Sequence, residues 1–301
     1  MKKIIWATDG SEEAERALEY AKYLAVKSGA EIIGVHVVPL PVQLLYENLK
    51  DSKEHLKNSI INLENRVADM FDDVASSLKK SGVNFEGILL KGKPSDKIIE
   101  FAKKSKADMI VLGKHGHGFF EAMLAGSETL KVLKGSHIPV LAVKDENKKG
   151  KAQFKNILVP IDLTECSDSA VAYSLALAQI TGANVKVVYV LRLDMYAQEL
   201  PASALEMVIE QAQNDLTQRV AKVKKTYERK KNASKDIKIS AEVIHGMSEA
   251  VTIANYAKNN NIDLIAIHTH GRTGITRFLL GSVTEKVISG SKCSVLAMRP
   301  E

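Results

Sequence analysis

The chain has 301 residues, 45% of them hydrophobic and 26% charged, with 5% aromatics and a formal net charge of +6. This length suits two ordinary domains better than one, and the cores must be built from Val, Ile, Leu and Ala. The basic excess is interleaved with Asp and Glu as on solvated helix faces, and no aromatic stacking platform accompanies it, so no nucleic-acid partner is expected. No stretch approaches the ~20 apolar residues of a membrane helix. The apolar run after Met1-Lys2-Lys3 stops at Thr8-Asp9, too short for a signal peptide, and Cys166 and Cys293 form no CxxC pair. A cytoplasmic protein with no membrane association is therefore expected, its cysteines acting as small buried hydrophobes.

Read from the start, Ile4–Thr8 is a short apolar run suited to a strand buried on both faces. Ser11 caps a helix with Glu12 and Glu13 in its first turn and an apolar stripe of Ala14, Ala17, Leu18, Ala21 and Leu24, which Gly29 ends. Glu31–Val38 is a second strand. After Pro39 and Pro41, a long helix runs over roughly 53–81. Phe85–Leu90 is a third strand. Gly92-Lys93-Pro94-Ser95 turns into a helix ending near Lys106. Asp108–Leu112 is a fourth strand, a glycine-rich loop leads to a helix from Ser127 to about Lys134, and Val140–Val143 closes the set. Strands separated by helices imply an open parallel sheet with helices on both faces, a Rossmann-like α/β fold.

The chain then repeats itself at an offset of about 155 residues. Lys3-Ile4-Ile5-Trp6-Ala7-Thr8-Asp9 answers to Asn156-Ile157-Leu158-Val159-Pro160-Ile161-Asp162. Gly29-Ala30-Glu31 answers to Gly182-Ala183-Asn184, and Gly126-Ser127 to Gly281-Ser282. The expected layout is a domain over 1–145, a linker over 146–153 and a second domain over 154–301. A pseudo-dimer of the two halves is expected, with Val140–Val143 and Val295–Met298 near its interface, because apolar edge strands need cover. A homodimer is a further possibility.

The densest chemistry is Gly113-Lys114-His115-Gly116-His117-Gly118, then Gly126-Ser127. In open α/β sheets, ligands bind at the carboxyl ends of strands. Glycines there admit backbone N–H groups to a polyphosphate, and the helix opening at Ser127 offers free N–H groups and a favourable dipole. No Gly-Lys-Ser/Thr segment makes this a Walker loop. The i, i+2 histidine pairs His115/His117 and His268/His270 suggest a metal site only if the halves brought these loops together, and none is expected. No catalytic base or metal-binding carboxylate pair stands out beside the loop, unless it is Glu128.

The spacing Gly-x2-Gly-x9-Gly-Ser after an apolar strand, with Asp9 ending the first strand, resembles the ATP-binding branch of the universal stress proteins, over nearly the whole chain as two domains. The resemblance implies an adenine nucleotide, ATP or else ADP or AMP, with or without Mg²⁺. It implies that Ala7, Thr8 and Asp9 line adenine and ribose, that Val37 holds adenine through its backbone, and that Leu112, Gly113, His115, Gly116, Gly126, Ser127 and Glu128 form the phosphate loop. In the second half the corresponding residues are Pro160, Ile161, Asp162, Val190, His270, Gly271, Arg272, Gly281, Ser282 and Val283. His117 stands where the family commonly has Arg, and Glu128 where it has Val. His268 replaces the first loop glycine of the second half, so the first site is expected to bind more tightly. A nucleotide-sensing regulatory or stress-response role is the leading reading. A slow ATPase and a ligand-free scaffold for protein partners are the alternatives.

Overall fold

The computed structural model describes residues 1–39, 53–114, 127–144, 150–192, 201–231, 236–269 and 280–299. They fall into two units, one ending at Val143 and one beginning at Lys144. In the first unit the elements are β1 (Lys3–Thr8), α1 (Glu12–Ser28), β2 (Glu31–Val38), α2 (Lys53–Lys79), β3 (Phe85–Lys91), α3 (Pro94–Lys104), β4 (Met109–Gly113), α4 (Ser127–Gly135) and β5 (Val140–Val143). The strands lie in the order β3-β2-β1-β4-β5, and every adjacent pair is parallel.

The second unit repeats this with β6 (Asn156–Ile161), α5 (Glu165–Thr181), β7 (Asn184–Leu191), α6 (Ala202–Lys231), β8 (Ile239–His245), α7 (Glu249–Asn259), β9 (Leu264–His268), α8 (Ser282–Gly290) and β10 (Ser294–Met298). Its order is β8-β7-β6-β9-β10, again parallel. In each unit the chain winds outward from its first strand and then returns to that strand's other side. The reversal leaves a crevice between the carboxyl ends of β1 and β4, and of β6 and β9, where open parallel sheets bind ligands.

The local signals act as their chemistry requires. Ser11 caps α1 by accepting from the Ala14 N–H at 3.2 Å. Gly29, at φ 72°, ends the helix in the left-handed conformation, its N–H bonded to the Ala25 carbonyl. The buried stripe of α1 contains Tyr20 and Ala25 besides Ala14, Ala17, Ala21 and Leu24. Leu18 lies at its margin, half-buried. Asp108 accepts from the N–H groups of Lys2 and Lys3, and Asp263 from those of Lys155 and Asn156, so one carboxylate starts the central strand of each unit.

One ring packs α2 onto β2 and β3. Phe71 of α2 lies against Gly87 and Gly34, where an added Cβ would meet it at 2.5 Å and 2.9 Å. The same ring meets Trp6 edge-on, with centroids 6.4 Å apart. Trp6 is buried and donates its indole N–H to the Ala14 carbonyl at 2.8 Å. This fixes α1 over β1 and so sets the level at which Asp9 leaves the sheet.

The two cysteines are not buried: Cys166 is exposed on the first turn of α5, outside its buried stripe, and Cys293 is half-exposed in the turn before β10. Among the described residues no helix is long and apolar enough to cross a membrane.

Candidate functional site

In the first unit the site is built around the exit from β1. Thr8, buried, ends the strand, and its hydroxyl accepts from the Gly10 N–H at 3.1 Å. Asp9 is exposed beyond it. One carboxylate oxygen accepts from the Ser11 N–H at 3.0 Å and from the Ser11 hydroxyl at 2.6 Å. Asp9 thus braces the corner whose Ser11 caps α1. Gly10, at φ 81°, supplies the left-handed residue this corner needs. Ala7 and Val37 are buried, so only their backbones can face a ligand.

Beside Asp9 lies a residue the sequence argument passed over. His36 of β2 pairs with Thr8 in the ladder. Burial pushes its pKa below the ordinary value, against the opposing field of Asp9 and the Thr8 backbone. Its Nδ1 is buried with no hydrogen-bond partner among the described residues. In the sequence His36 is one residue of the second strand, and only the strand's neighbours reveal its place beside Asp9.

The opposite wall is the end of β4. Leu112 is buried, and the Gly113 carbonyl accepts from the Thr129 hydroxyl at 3.0 Å, which fastens the first turn of α4 to the strand end. Thr284 does the same for the His268 carbonyl in the second unit, at 2.9 Å. This threonine pair was readable in the sequence as one more repeated position. Lys114, next along the chain, is fully buried, and its N–H bonds the Val143 carbonyl.

Gly113 has a different reason to be glycine from the one the loop chemistry suggests. A Cβ there would meet Glu13 Cβ at 2.9 Å and its backbone carbonyl carbon at 3.0 Å. The space is taken by the first turn of α1 rather than kept open toward a phosphate. His268 occupies the equivalent place at the end of β9 and is only 6% exposed. Its carbonyl, like that of Gly113, accepts from the threonine of the following helix.

Glu128 opens the first turn of α4. Its carboxylate accepts from the Ser95 N–H at 2.9 Å and pairs with Lys131 at 2.5 Å. Burial alone would raise its pKa, but the bonds from Lys131 and the Ser95 backbone outweigh this and hold it below the usual carboxylate value. Lys93, the residue before α3, makes no side-chain cap, so Glu128 serves as the cap of α3 from a distance.

In the second unit, Pro160 and Ile161 end β6, both buried. Asp162 accepts from the Thr164 N–H at 3.1 Å and the Thr164 hydroxyl at 2.6 Å, the same brace as Asp9. Burial raises the Asp162 pKa, and the Thr164 bonds more than offset this, leaving it lowered. Val190 is buried on β7. The Gly281 N–H bonds the Thr269 carbonyl at 2.8 Å, and a Cβ on Gly281 would lie 3.2 Å from that oxygen. Ser282 then opens α8, followed by the half-buried Val283. His115, Gly116, Gly126, His270, Gly271 and Arg272 lie outside the described residues, as does the side chain of Ser127. Among the described residues no cluster of three or more His, Cys, Asp or Glu could hold a metal.

Each unit is thus an open parallel α/β domain with an Asp-braced corner facing a threonine-pinned helix N-terminus across its switch point. The sequence model of the Universal stress protein family matches residues 1–144 and again 153–299. The chain belongs to the universal stress protein family and carries its domain twice. Universal stress protein MJ0577 of Methanocaldococcus jannaschii is 31% identical over 159 residues, which cover 48% of this chain and 96% of that protein. A universal stress protein of Mycolicibacterium smegmatis is 24% identical over 303 residues, 99% of this chain and 97% of that one. The crystal structure of a universal stress protein from Archaeoglobus fulgidus has the same fold, with a TM-score of 0.69 at 22% identity over 99% of this chain and 96% of that one.

Proposed function

We propose that this chain binds an adenine nucleotide, ATP or its diphosphate or monophosphate, in the switch-point crevice of each half, and that it acts as a nucleotide-responsive regulatory protein. The observation that carries this reading is the repeated corner. In both halves a carboxylate at the end of the central strand, Asp9 or Asp162, is braced by the hydroxyl and N–H two residues on. Across from it, a helix N-terminus is pinned to the end of the neighbouring strand by Thr129 or Thr284. A carboxylate suits ribose hydroxyls, and a helix N-terminus suits phosphate. The glycine spacing of the intervening loop supports the same ligand.

His268 is buried at the place equivalent to Gly113, whose Cβ direction meets the first turn of α1, and this supports two competent sites over one. The cation at Arg272 would supply in the second half a permanent charge that His117 largely lacks near neutral pH.

Native mass spectrometry of the purified chain, followed by calorimetric titration with ATP, AMP and GTP with and without Mg²⁺, tests the proposal. Co-purified or added adenine nucleotide at up to two per chain is the expected result. A folded chain that carries no nucleotide and gives no heat with any of them would overturn it.

A further inference from the structure

Each half leaves its central strand through a corner of the same construction, Asp9-Gly10-Ser11 in one and Asp162-Leu163-Thr164 in the other. The middle residue is left-handed in both, with φ 81° at Gly10 and 61° at Leu163. Glycine takes this conformation freely. In leucine the Cβ crowds the following carbonyl, and the conformation persists only if the surroundings enforce it.

The enforcing group comes from a helix far along the chain. Arg219 of α6 donates from Nη1 to the Leu163 carbonyl at 2.7 Å. Its Nε and Nη2 grip the two oxygens of Asp168 at 2.6 and 3.0 Å. Asp168 stands in the first turn of α5. One planar guanidinium therefore ties the corner, α5 and α6 together, a task that needs the fork of arginine. The side chains of Arg219 and Asp168 are 22% and 30% exposed, so the grip is partly shielded from water.

In the first half the corner residue is Gly10, which takes the left-handed conformation without enforcement. Val67, Phe71 and Leu78 are buried on α2, and Leu216, Val220 and Tyr227 repeat their spacing on α6. This register puts Met70 where α6 has Arg219, and a thioether cannot donate to a carbonyl.

We infer that Arg219 is a positioning residue for the second half's ligand corner: it holds Leu163 left-handed and thereby sets Asp162 at the mouth of the crevice. Its bearing on ligand affinity rests on the nucleotide reading above; its hold on the corner does not.

The test uses the full chain with Arg219→Met, Arg219→Lys, Leu163→Gly and the double variant Arg219→Met/Leu163→Gly. Amide hydrogen exchange over residues 162–168 reads the corner. The same measurement against ATP concentration reads the ligand. Arg219→Met should speed exchange at Thr164 and Ser167 about tenfold, the order expected when the hold on one unfavourable left-handed residue is lost. The matching corner at residues 9–15 should be unmoved. Arg219→Lys should resemble Arg219→Met, having lost the fork but kept the charge. ATP-dependent protection in the second half should need correspondingly more ATP.

Glycine at 163 should rescue both readouts in the double variant. An arginine that merely glued α5 to α6 would not be rescued this way. Unchanged exchange in Arg219→Met, or a double variant as fast as the single one, would overturn the inference. If ATP protects neither half of the wild-type chain, the nucleotide reading fails while the exchange comparison still decides the role of Arg219.

Discussion

At the scale of single residues, His268 and His36 have roles set by what their side chains face. The Cβ direction at the end of β4 points into the first turn of α1, and His268 stands buried at the equivalent place at the end of β9. His268→Gly should leave the ATP affinity of the second half little changed, while removing a buried ring should cost on the order of 1–3 kcal/mol in urea unfolding. A large gain in affinity at unchanged stability would show instead that His268 hinders the ligand.

His36 carries a pH dependence. Burial holds its pKa below the ordinary value of about 6.5, with Asp9 and the Thr8 backbone opposing. As pH falls, the unfolded chain takes up this proton first. The contribution of His36 to stability is therefore complete above about 6.5 and is lost as pH falls toward its lower folded-state value. Comparing urea midpoints at about pH 8 and pH 5.5, the wild type should lose more stability than His36→Gln. Equal losses would mean that other groups account for the acid sensitivity.

At the scale of elements, α2 packs on β2 and β3 with Phe71 seated where Gly34 and Gly87 have no side chains. Phe71→Ala should destabilise the first unit by about 3–5 kcal/mol, the usual range for truncating a buried ring. Because α2 also touches Trp6, whose indole bonds the first turn of α1, the loss should spread to the Asp9 corner. Faster hydrogen exchange at residues 9–15 in this variant is the expected sign, and exchange confined to α2 and β3 would refute the coupling. Helix α3 is a milder case, its missing local cap supplied by Glu128 from α4.

At the scale of the whole molecule, the repeat makes a statement about stoichiometry. A ligand that binds only the folded state, at a hundred times its dissociation constant, stabilises its domain by about 2.7 kcal/mol. With a site in each half, ATP should raise the unfolding midpoint of both units, followed separately by exchange in β4 and β9. A shift confined to one unit would show a single working site.

The sequence by itself determined the tandem repeat, the strand and helix order of each half, the caps at Ser11 and Gly29, and the positions of Asp9 and Asp162. All of these rest on local chemistry: apolar runs, hydroxyls at helix starts, and glycines at left-handed turns. Only the tertiary structure decided what Gly113 makes room for, which helix Glu128 caps, that His36 stands beside Asp9, and that Arg219 holds Leu163. Each of these joins residues tens of positions apart, and no periodicity in a chain records which side chain meets which across a sheet.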